Sequence, residues 1–464
     1  RAMTRYEAAA LLNACLDRVT EVTDEIKRLM AEFEKELAVL RGRVDGLEAR
    51  VGELEANQFS TTTKLGGLAT FVVGANSFSG SAINGKASTL NRRSNRLTRP
   101  ATPRTPVALP NGTVFNYDVQ LTLDTSFNGK DRLRTNLRAG NFGSSVFGGE
   151  PHALSLSTLE IAFEEEAGAN VLSVDKLFYQ FPISDQFTAT IGARVGQEDM
   201  LALWPSVYPS DTVLNVMTVN GAPAAYNKNL GAGGGLWWQK GGLSISTAYV
   251  AARGGKGSPR VSEPELDEGE GGLGNGASGA TGTVQLGYQQ EQWGLAAIWS
   301  YVQPETVFVP GTTPFVHAAI DHNINATTNA YGLSAYWQPL RSGWLPSLSV
   351  GWGINVTDFG TRQPKGSLSQ SQSWMVGVQW TDVFAKGNDF GMAVGQPVFA
   401  TGLTGNRTPD DGNYVWEWWY KWQVTDAISI TPALIYLSRP LGQVTPVGDT
   451  FRQFGGLVKT SFRF

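Results

Sequence analysis

The sequence is poor in the residues that build disulfide frameworks, metal–thiolate centres and strongly charged surfaces. Among 464 residues there is one cysteine, Cys15, which excludes a disulfide framework and a zinc–thiolate site. Charged residues make up only 17% and the net charge is −4, so no overall basic field favours nucleic acid as a partner. No run of about 18 apolar residues occurs, which excludes a transmembrane helix. It does not exclude a transmembrane β-barrel, because barrel strands carry a much weaker signal.

Catalytic chemistry also has little support in the sequence. Three histidines, His152, His317 and His322, fall in predicted loops without metal-ligand spacing. Glu160 and Glu164 share one strand face, but charges that line a channel would do the same. We therefore expect no cofactor, no metal and no enzymatic activity. An outer-membrane hydrolase is the alternative, and it would show turnover.

What the chain does contain is alternation of apolar and polar residues. It runs from Phe115 to Asp124 and again from Arg132 to Ala139, and Asn128-Gly129 between them is typical of a turn. Period 2 gives each strand one apolar and one polar face. In a soluble sandwich the polar face would meet bulk water, whereas in a membrane barrel it would line an aqueous lumen.

Seventeen segments are candidate strands. They lie near 65–75, 115–125, 131–139, 155–163, 175–182, 187–195, 234–239, 243–252, 281–290, 294–302, 330–338, 347–356, 373–381, 390–396, 414–423, 427–436 and 455–464. Tryptophan and tyrosine recur near their ends, as in Tyr414 to Trp422, which suits the interfacial girdles of an outer-membrane barrel better than a soluble core.

Counted back from the C-terminus, the connections between candidate strands are alternately long loops and short turns. Short turns at one end and long loops at the other describe a bacterial outer-membrane barrel, which has an even number of strands. Either 65–75 or 155–163 is therefore not a barrel strand, and the sequence leaves this open. We predict a mainly β fold, a 16-stranded antiparallel transmembrane β-barrel over residues 60–464 that encloses an aqueous channel.

The first 57 residues predict helices. Thr4 and Glu7 have capping-box spacing, and from Val19 to Leu54 apolar residues follow a heptad with one stutter after Phe33. A single helix of this kind would expose its apolar seam to water. The pattern of residues 19–57 therefore predicts an α-helical coiled-coil stalk that self-associates. Val or Ile at heptad position a, combined with Leu at heptad position d, nominally favours a parallel dimer.

Four stretches carry resemblances to known families. Residues 3–16 resemble the closing helix of an S-layer-homology (SLH) domain, which covers residues 1–18 here. The last strand, Val458 to Phe464, ends on an aromatic residue and resembles the signal read by barrel-assembly machinery. The segments 123–131 and 175–182 add to these two features. With them, the chain resembles the major outer-membrane porins of cyanobacteria, which combine an SLH domain, a coiled coil and an OprB-type carbohydrate porin barrel.

This resemblance implies functions and partners. It implies passive diffusion of small hydrophilic solutes or inorganic ions across the outer membrane, and a homotrimer with its stalk in the periplasm. It also implies contact with outer-membrane lipid and lipopolysaccharide, and tethering to peptidoglycan-linked polysaccharide. For that tethering the matching SLH motif residues are Thr4, Arg5 and Glu7.

Charged residues on the polar strand faces are the candidate pore lining. A lipid-facing Arg at mid-membrane costs about 2–4 kcal/mol, so we expect the arginines of these strands to face the lumen. The predicted set is Arg132, Arg134, Arg138, Arg194, Asp118, Asp124, Glu417 and Lys421. The arginines either form a salt-bridge ladder with Asp118 and Asp124 or make a basic stripe that favours anions, and both remain open.

One long loop is expected to fold inward and narrow the channel. We favour 196–233, whose Glu198, Asp199 and Asp211 would face the arginines and create a transverse field. A packed extracellular loop is the alternative for this segment. The basic loop 76–114 is a second candidate plug, and the acidic loop 253–280 is expected to be solvated. A structural tether with a plugged barrel is the alternative function.

Overall fold

The computed structural model describes Arg28, Glu32 and Phe33, and then residues 62–464 apart from short internal gaps. The gaps are 83–89, 92–95, 98–110, 149–151, 166–167, 211–212, 263–265, 305, 307–310, 322, 342 and 361–362. The predicted SLH end (1–18) and, except for those three residues, the predicted stalk (19–57) lie outside the described residues. So do four candidate site residues: Thr4, Arg5, Glu7 and Asp211. The chain divides into two compact units, Arg1–Lys64 and Leu65–Phe464.

Sixteen antiparallel strands in the described part of the chain close into one barrel. They are β1 (Thr63–Ser79), β4 (Val114–Thr125), β5 (Arg132–Gly140), β6 (Ser173–Pro182), β7 (Phe187–Gly196), β8 (Leu230–Lys240), β9 (Leu243–Ala251), β10 (Ala280–Gln289), β11 (Trp293–Val302), β12 (Thr327–Trp337), β13 (Ser347–Asp358), β14 (Leu368–Thr381), β15 (Asp389–Leu403), β16 (Tyr414–Thr425), β17 (Ile428–Ser438) and β18 (Arg452–Arg463). Closure comes from β1 pairing with β18, with Leu68 opposite Arg463 and Ser79 opposite Arg452.

The remaining elements are short. Among the described residues of 62–464, a separate hairpin pairs β2 (Leu90–Asn91) with β3 (Arg96–Leu97), and an α-helix spans Pro314–Asp321. The same residues contain four 3₁₀ segments: His152–Ser157, Gln197–Met200, Asn215–Met217 and Gly442–Val444. No helix in the described residues is both long and apolar enough to cross a membrane.

The alternation in the sequence becomes an outer and an inner face of the barrel. In β11 the exposed side chains are Trp293, Leu295, Ala297, Trp299 and Tyr301, and the residues between them are buried. Exposed large apolar residues on the strands include Phe71, Ile191, Leu286, Leu333 and Leu434. An apolar exterior around a ladder whose backbone groups are all paired is what a hydrocarbon surround requires.

The candidate strand at 155–163 is not a barrel strand, which decides between the two alternatives that the sequence leaves open. Residues 155–163 begin inside the 3₁₀ segment His152–Ser157 and form no barrel strand, whereas 65–75 lies within β1. Leu156 and Leu159 are fully buried in a core cluster with Leu214 and Met217, so their apolar pattern serves interior packing. The loop after β1 therefore lies at the long-loop end of the barrel.

Two other loops are shorter than predicted. β14 begins at Leu368 and β15 continues to Leu403, so the connections are 359–367 and 404–413 instead of 357–372 and 397–413. Both strands extend beyond the residues in which apolar and polar side chains alternate clearly. Register shifts interrupt the β14–β15 pairing in this extension, between Leu368 and Trp374.

The described residues of two stretches, 141–165 and 197–229, fold into the barrel. Serine hydroxyls on the inner faces of three strands donate to backbone carbonyls of the second stretch: Ser300 to Ala225 at 2.8 Å, Ser334 to Asn220 at 2.8 Å and Ser373 to Gly221 at 3.0 Å. We call the described residues of 141–165 the first infolded segment and those of 197–229 the second. They occupy the interior that a barrel of this size would otherwise leave to water.

Glycine on the inner face of β13 permits this close packing. A Cβ at Gly351 would lie 1.8 Å from the carbonyl oxygen of Asn220, and one at Gly221 would lie 2.4 Å from the carbonyl oxygen of Gly351. Gly221 also has a φ of +69°, which other residues rarely adopt. The backbones of the wall and of the second infolded segment are therefore in direct contact here.

The apolar exterior makes a prediction about stability. Leu333 is 57% exposed at the middle of β12, and Leu340 is 65% exposed in the turn after it. Leu333→Arg should lower the free energy of unfolding in lipid vesicles by about 2–4 kcal/mol, and the control Leu340→Arg by about 0–1 kcal/mol. Guanidinium titration of the reconstituted protein measures both, and equal losses would contradict a membrane-spanning β12.

Candidate functional site: the barrel lumen

The inner face of the β4–β5 hairpin carries two ion pairs. Arg134 donates from Nε and Nη2 to the two carboxylate oxygens of Asp124, at 2.8 and 2.6 Å. Arg138 Nε lies 2.6 Å from Asp118 Oδ1, and Asp118 is fully buried. The hairpin register sets Asp124 opposite Arg134, which brings the first pair together directly. Arg134 and Asp124 keep about 30% of their side-chain surface exposed, at 29% and 31%.

We call the inner faces of β4 to β7 the charged wall. The other two arginines of this wall bind neutral groups. Arg132 Nη2 donates to Gln180 Oε1 at 3.0 Å, and its guanidinium lies 5.7 Å from the centre of the Phe178 ring. Arg194 Nε donates to the carbonyl oxygen of Asp175 at 2.9 Å. Neither guanidinium forms an ion pair with a carboxylate among the described residues.

A β-bulge in β6 brings one more cation into the lumen. Asn136 pairs with Lys176 but Leu137 pairs with Val174, so Asp175 is an extra residue. As a result both Asp175 and Lys176 face inward, and Asn136 donates to Asp175 at 3.0 Å. Simple alternation hides Lys176 from sequence analysis. Two adjacent charged residues inside a strand are the signal that could have revealed it.

Lys176 is the partner of the predicted constriction acids. Its Nζ lies 2.7 Å from Glu198 Oε1 and 2.6 Å from Asp199 Oδ2. Both acids follow β7 directly, at the start of the second infolded segment, and Asp199 also accepts the Gly196 backbone N–H at 3.1 Å. The acids thus lie on the same wall as the arginines, with their carboxylates against Lys176.

Counted together, the charges of this wall balance. Its five cations are Arg132, Arg134, Arg138, Lys176 and Arg194, and its five carboxylates are Asp118, Asp124, Asp175, Glu198 and Asp199. The wall is a field of alternating charge with no net excess of either sign.

Glu417 anchors the second infolded segment to β16. Its side chain is 0% exposed; it accepts the Tyr208 hydroxyl and, at 2.9 Å, the Leu214 backbone N–H. Trp419 Nε1 donates to the Tyr208 hydroxyl at 3.0 Å. The infolded segment thus covers the predicted pore-lining Glu417. Leaving a buried carboxylate without its hydrogen-bond donors costs several kcal/mol, so these contacts hold the second infolded segment against β16.

The two infolded segments also bind each other. Lys228 Nζ lies 2.5 Å from Glu160 Oε1 and 2.8 Å from Thr218 Oγ1, and Thr218 donates to Glu160 Oε2 at 2.9 Å. Glu160 is thus part of the interior packing instead of a strand face.

Lys421, the last predicted pore-lining residue, lies on the inner face of β16 toward the short-turn end. Its Nζ is 3.4 Å from Asp389 Oδ2, which also accepts the Ser210 hydroxyl at 2.7 Å. In the described part of the chain no group of three or more His, Cys, Asp or Glu residues has the geometry to hold a metal ion.

Comparison with known proteins agrees with this architecture. An uncharacterized protein of Nostoc sp. is 32% identical over an alignment covering all of this chain and 78% of the relative, and one of Synechocystis sp. is 28% identical over all of this chain and 82% of the relative. A solved structure of Pseudomonas putida OprB superposes with a TM-score of 0.53 at 12% identity, covering 89% of this chain and 96% of that one. Residues 23–464 match the family described as carbohydrate-selective porin, OprB family. The chain therefore belongs to the OprB family of carbohydrate-selective porins, which are outer-membrane channels and not enzymes.

Proposed function

We propose that this porin is a narrowed passive channel for small hydrophilic solutes or inorganic ions. The observation that carries the proposal is the coexistence of a closed barrel with charged side chains that keep solvent contact inside it. Arg134 and Asp124 remain about one third exposed in the lumen although both infolded segments lie within the same barrel. Water that reaches these groups supports a continuous aqueous path.

The balanced charged wall supports weak selection between ions of opposite sign. A strip that carries equal numbers of guanidinium or ammonium groups and carboxylates orients dipolar solutes without excluding either sign of ion. Selectivity should then respond to single charges, because each removal leaves an excess.

Arg134 is the position at which this can be tested. Arg134→Gln leaves Asp124 unpaired in a partly exposed site, so the reversal potential in a potassium chloride gradient should shift toward cation selectivity. The matched control Arg134→Gln with Asp124→Asn restores the balance and should return the potential to the wild-type value. An unchanged potential in the single variant would remove this wall from the ion path.

The alternative function is a structural barrel that barely conducts. It is favoured by the burial of the infolded segments, where Leu159, Leu214, Met217 and Tyr226 are all nearly or fully buried. Single-channel recording in planar bilayers separates the two functions, since an open pore conducts in steps and a plugged one does not.

Removing the hydrogen bonds that Glu417 accepts provides a second test of whether the barrel conducts. Glu417→Ala removes the acceptor of the hydrogen bonds from Tyr208 and Leu214, each worth about 1.5–3 kcal/mol with a charged acceptor, and should give larger and noisier single-channel currents. Glu417→Gln keeps the shape and one good acceptor, and should lie close to wild type. If Glu417→Ala conducts as wild type does, the second infolded segment does not set the constriction.

We further propose that residues 1–57 tether the barrel. The supporting features are the SLH-like residues Thr4, Arg5 and Glu7 and the heptads of 19–57, which would unite three copies through the predicted stalk. The protein should have a trimeric mass in detergent and should co-sediment with cell-wall sacculi. Thr4→Ala with Arg5→Ala should lose co-sedimentation and keep the trimer, while a dimeric mass would overturn the predicted assembly.

A further inference from the structure

A short helix packs against inner-face residues at the long-loop end of the barrel. We call it the mouth helix; it spans Pro314–Asp321, in the connection between β11 and β12. Val316 of this helix is fully buried, in the same apolar cluster as Ala222 of the second infolded segment. Ile320 lines a small cavity together with Val302 at the end of β11. The mouth helix therefore touches both the strands and the second infolded segment.

One buried carboxyl group joins the mouth helix to two other connections. Asp411, in the connection between β15 and β16, is 1% exposed. Its Oδ2 accepts the hydroxyl of Thr313, directly before the mouth helix, at 2.5 Å and the Ala400 backbone N–H of β15 at 2.8 Å. Its Oδ1 accepts the Gln443 backbone N–H, in the connection between β17 and β18, at 2.9 Å. Three connections at the long-loop end therefore meet at one carboxyl group.

The partners of this carboxyl group are all neutral. Arg439 lies close enough to influence Asp411 electrostatically, but its guanidinium pairs with Asp410 at 3.0 Å. A buried carboxylate without a cation in contact is costly, because hydrogen bonds replace its lost hydration only in part. The other titratable side chains in the described parts of the three connections include Arg407, Asp449 and His317.

Burial changes the proton affinity of this group. It raises the pKa of Asp411 from an ordinary 3.8 to about 6, and the three hydrogen bonds and Arg439 oppose this only in part. If the connections separate and water reaches the carboxyl group, its pKa returns toward the ordinary value. Between about pH 4 and 6 the joined arrangement therefore binds a proton more readily than the separated one, so acid favours the joined arrangement. The neutral carboxyl group can keep its contact with Thr313, because a hydroxyl accepts as well as donates hydrogen bonds.

We propose that Asp411 is a proton-dependent anchor, which holds the mouth helix and the two neighbouring connections together more firmly in acid than at neutral pH. The proposal stands on the meeting of three connections at a carboxyl group that is buried and has only neutral partners. Any effect of the anchor on transport rests on the proposed channel function, whereas the anchoring itself does not.

Hydrogen exchange of the full-length protein in lipid vesicles tests the anchor. After correction for intrinsic exchange rates, the protection of the mouth-helix amides should fall about tenfold or more as the pH rises from about 4.5 to 7.5, because ionised Asp411 favours local opening. The amides of β11 are the internal reference, and their protection should stay constant.

Three variants assign the pH dependence to Asp411. Asp411→Asn exchanges one acceptor oxygen for a donor, so its mouth helix should be less protected, but equally so at every pH. The control His317→Gln removes the imidazole of the mouth helix and should keep the wild-type pH dependence. Thr313→Val removes a donor that favours the ionised form, and should move the midpoint to higher pH.

Heat-modified gel mobility establishes which variants are folded. Constant protection of the mouth helix in wild type, the same pH dependence in Asp411→Asn as in wild type, or its loss in His317→Gln overturns the proposal. If Asp411→Asn does not fold, an unmoved midpoint in Thr313→Val does so.

Bilayer recording separates the anchor from the channel. Acid on the long-loop side should lengthen the closed intervals of wild type and leave those of Asp411→Asn unchanged. Protection that depends on pH in a protein that does not conduct would refute the channel function and leave the anchor supported. Closed intervals that lengthen equally in both proteins would show that the anchor does not control the current and would overturn its role in transport.

Discussion

The structure depends on the need to satisfy every backbone N–H and C=O inside a hydrocarbon layer. Water is absent there, so an open sheet edge would leave a whole row of polar groups unpaired, each costing several kcal/mol. Pairing β1 with β18 removes the last edge. Once the ladder is closed, the outer face within the hydrocarbon layer must be apolar, and charged side chains at that depth are directed to the lumen. The ion pairs of the β4–β5 hairpin and the inward-facing Lys421 follow from that constraint.

The interior is specified by a different kind of interaction. The second infolded segment is held by hydrogen bonds from inner-face serines, by backbone contact at Gly351 and by the buried carboxylate of Glu417. Each of these contacts joins residues more than 70 positions apart, for example Leu214 and Glu417 or Ser300 and Ala225. The position of the second infolded segment is therefore a property of the wall and the segment together, and neither determines it alone.

This difference explains how far sequence analysis reached. The strands were predictable because period-2 alternation is local. A salt-bridge ladder across the β4–β5 hairpin could be named as one of two alternatives, because a short turn sets the register of neighbouring strands. The sequence could not decide whether 155–163 is a strand, because an apolar run buried in the interior has the same composition as a strand. Lys176 was missed because the bulge at Asp175 breaks the alternation. A cavity against the inner faces of β1, β16, β17 and β18 was out of reach because its lining comes from these four strands and both infolded segments.

The pairing of β1 with β18 has a consequence for how the molecule comes into being. Phe71 lies opposite Thr460, so contacts essential to the sheet join residues separated by nearly the whole length of the barrel region. Such distant contacts are slow to form, and until they do the row of groups on β1 has no counterpart. The nascent polypeptide must therefore travel as an unassembled chain, shielded from self-association, until its final strand is delivered to the membrane that completes it.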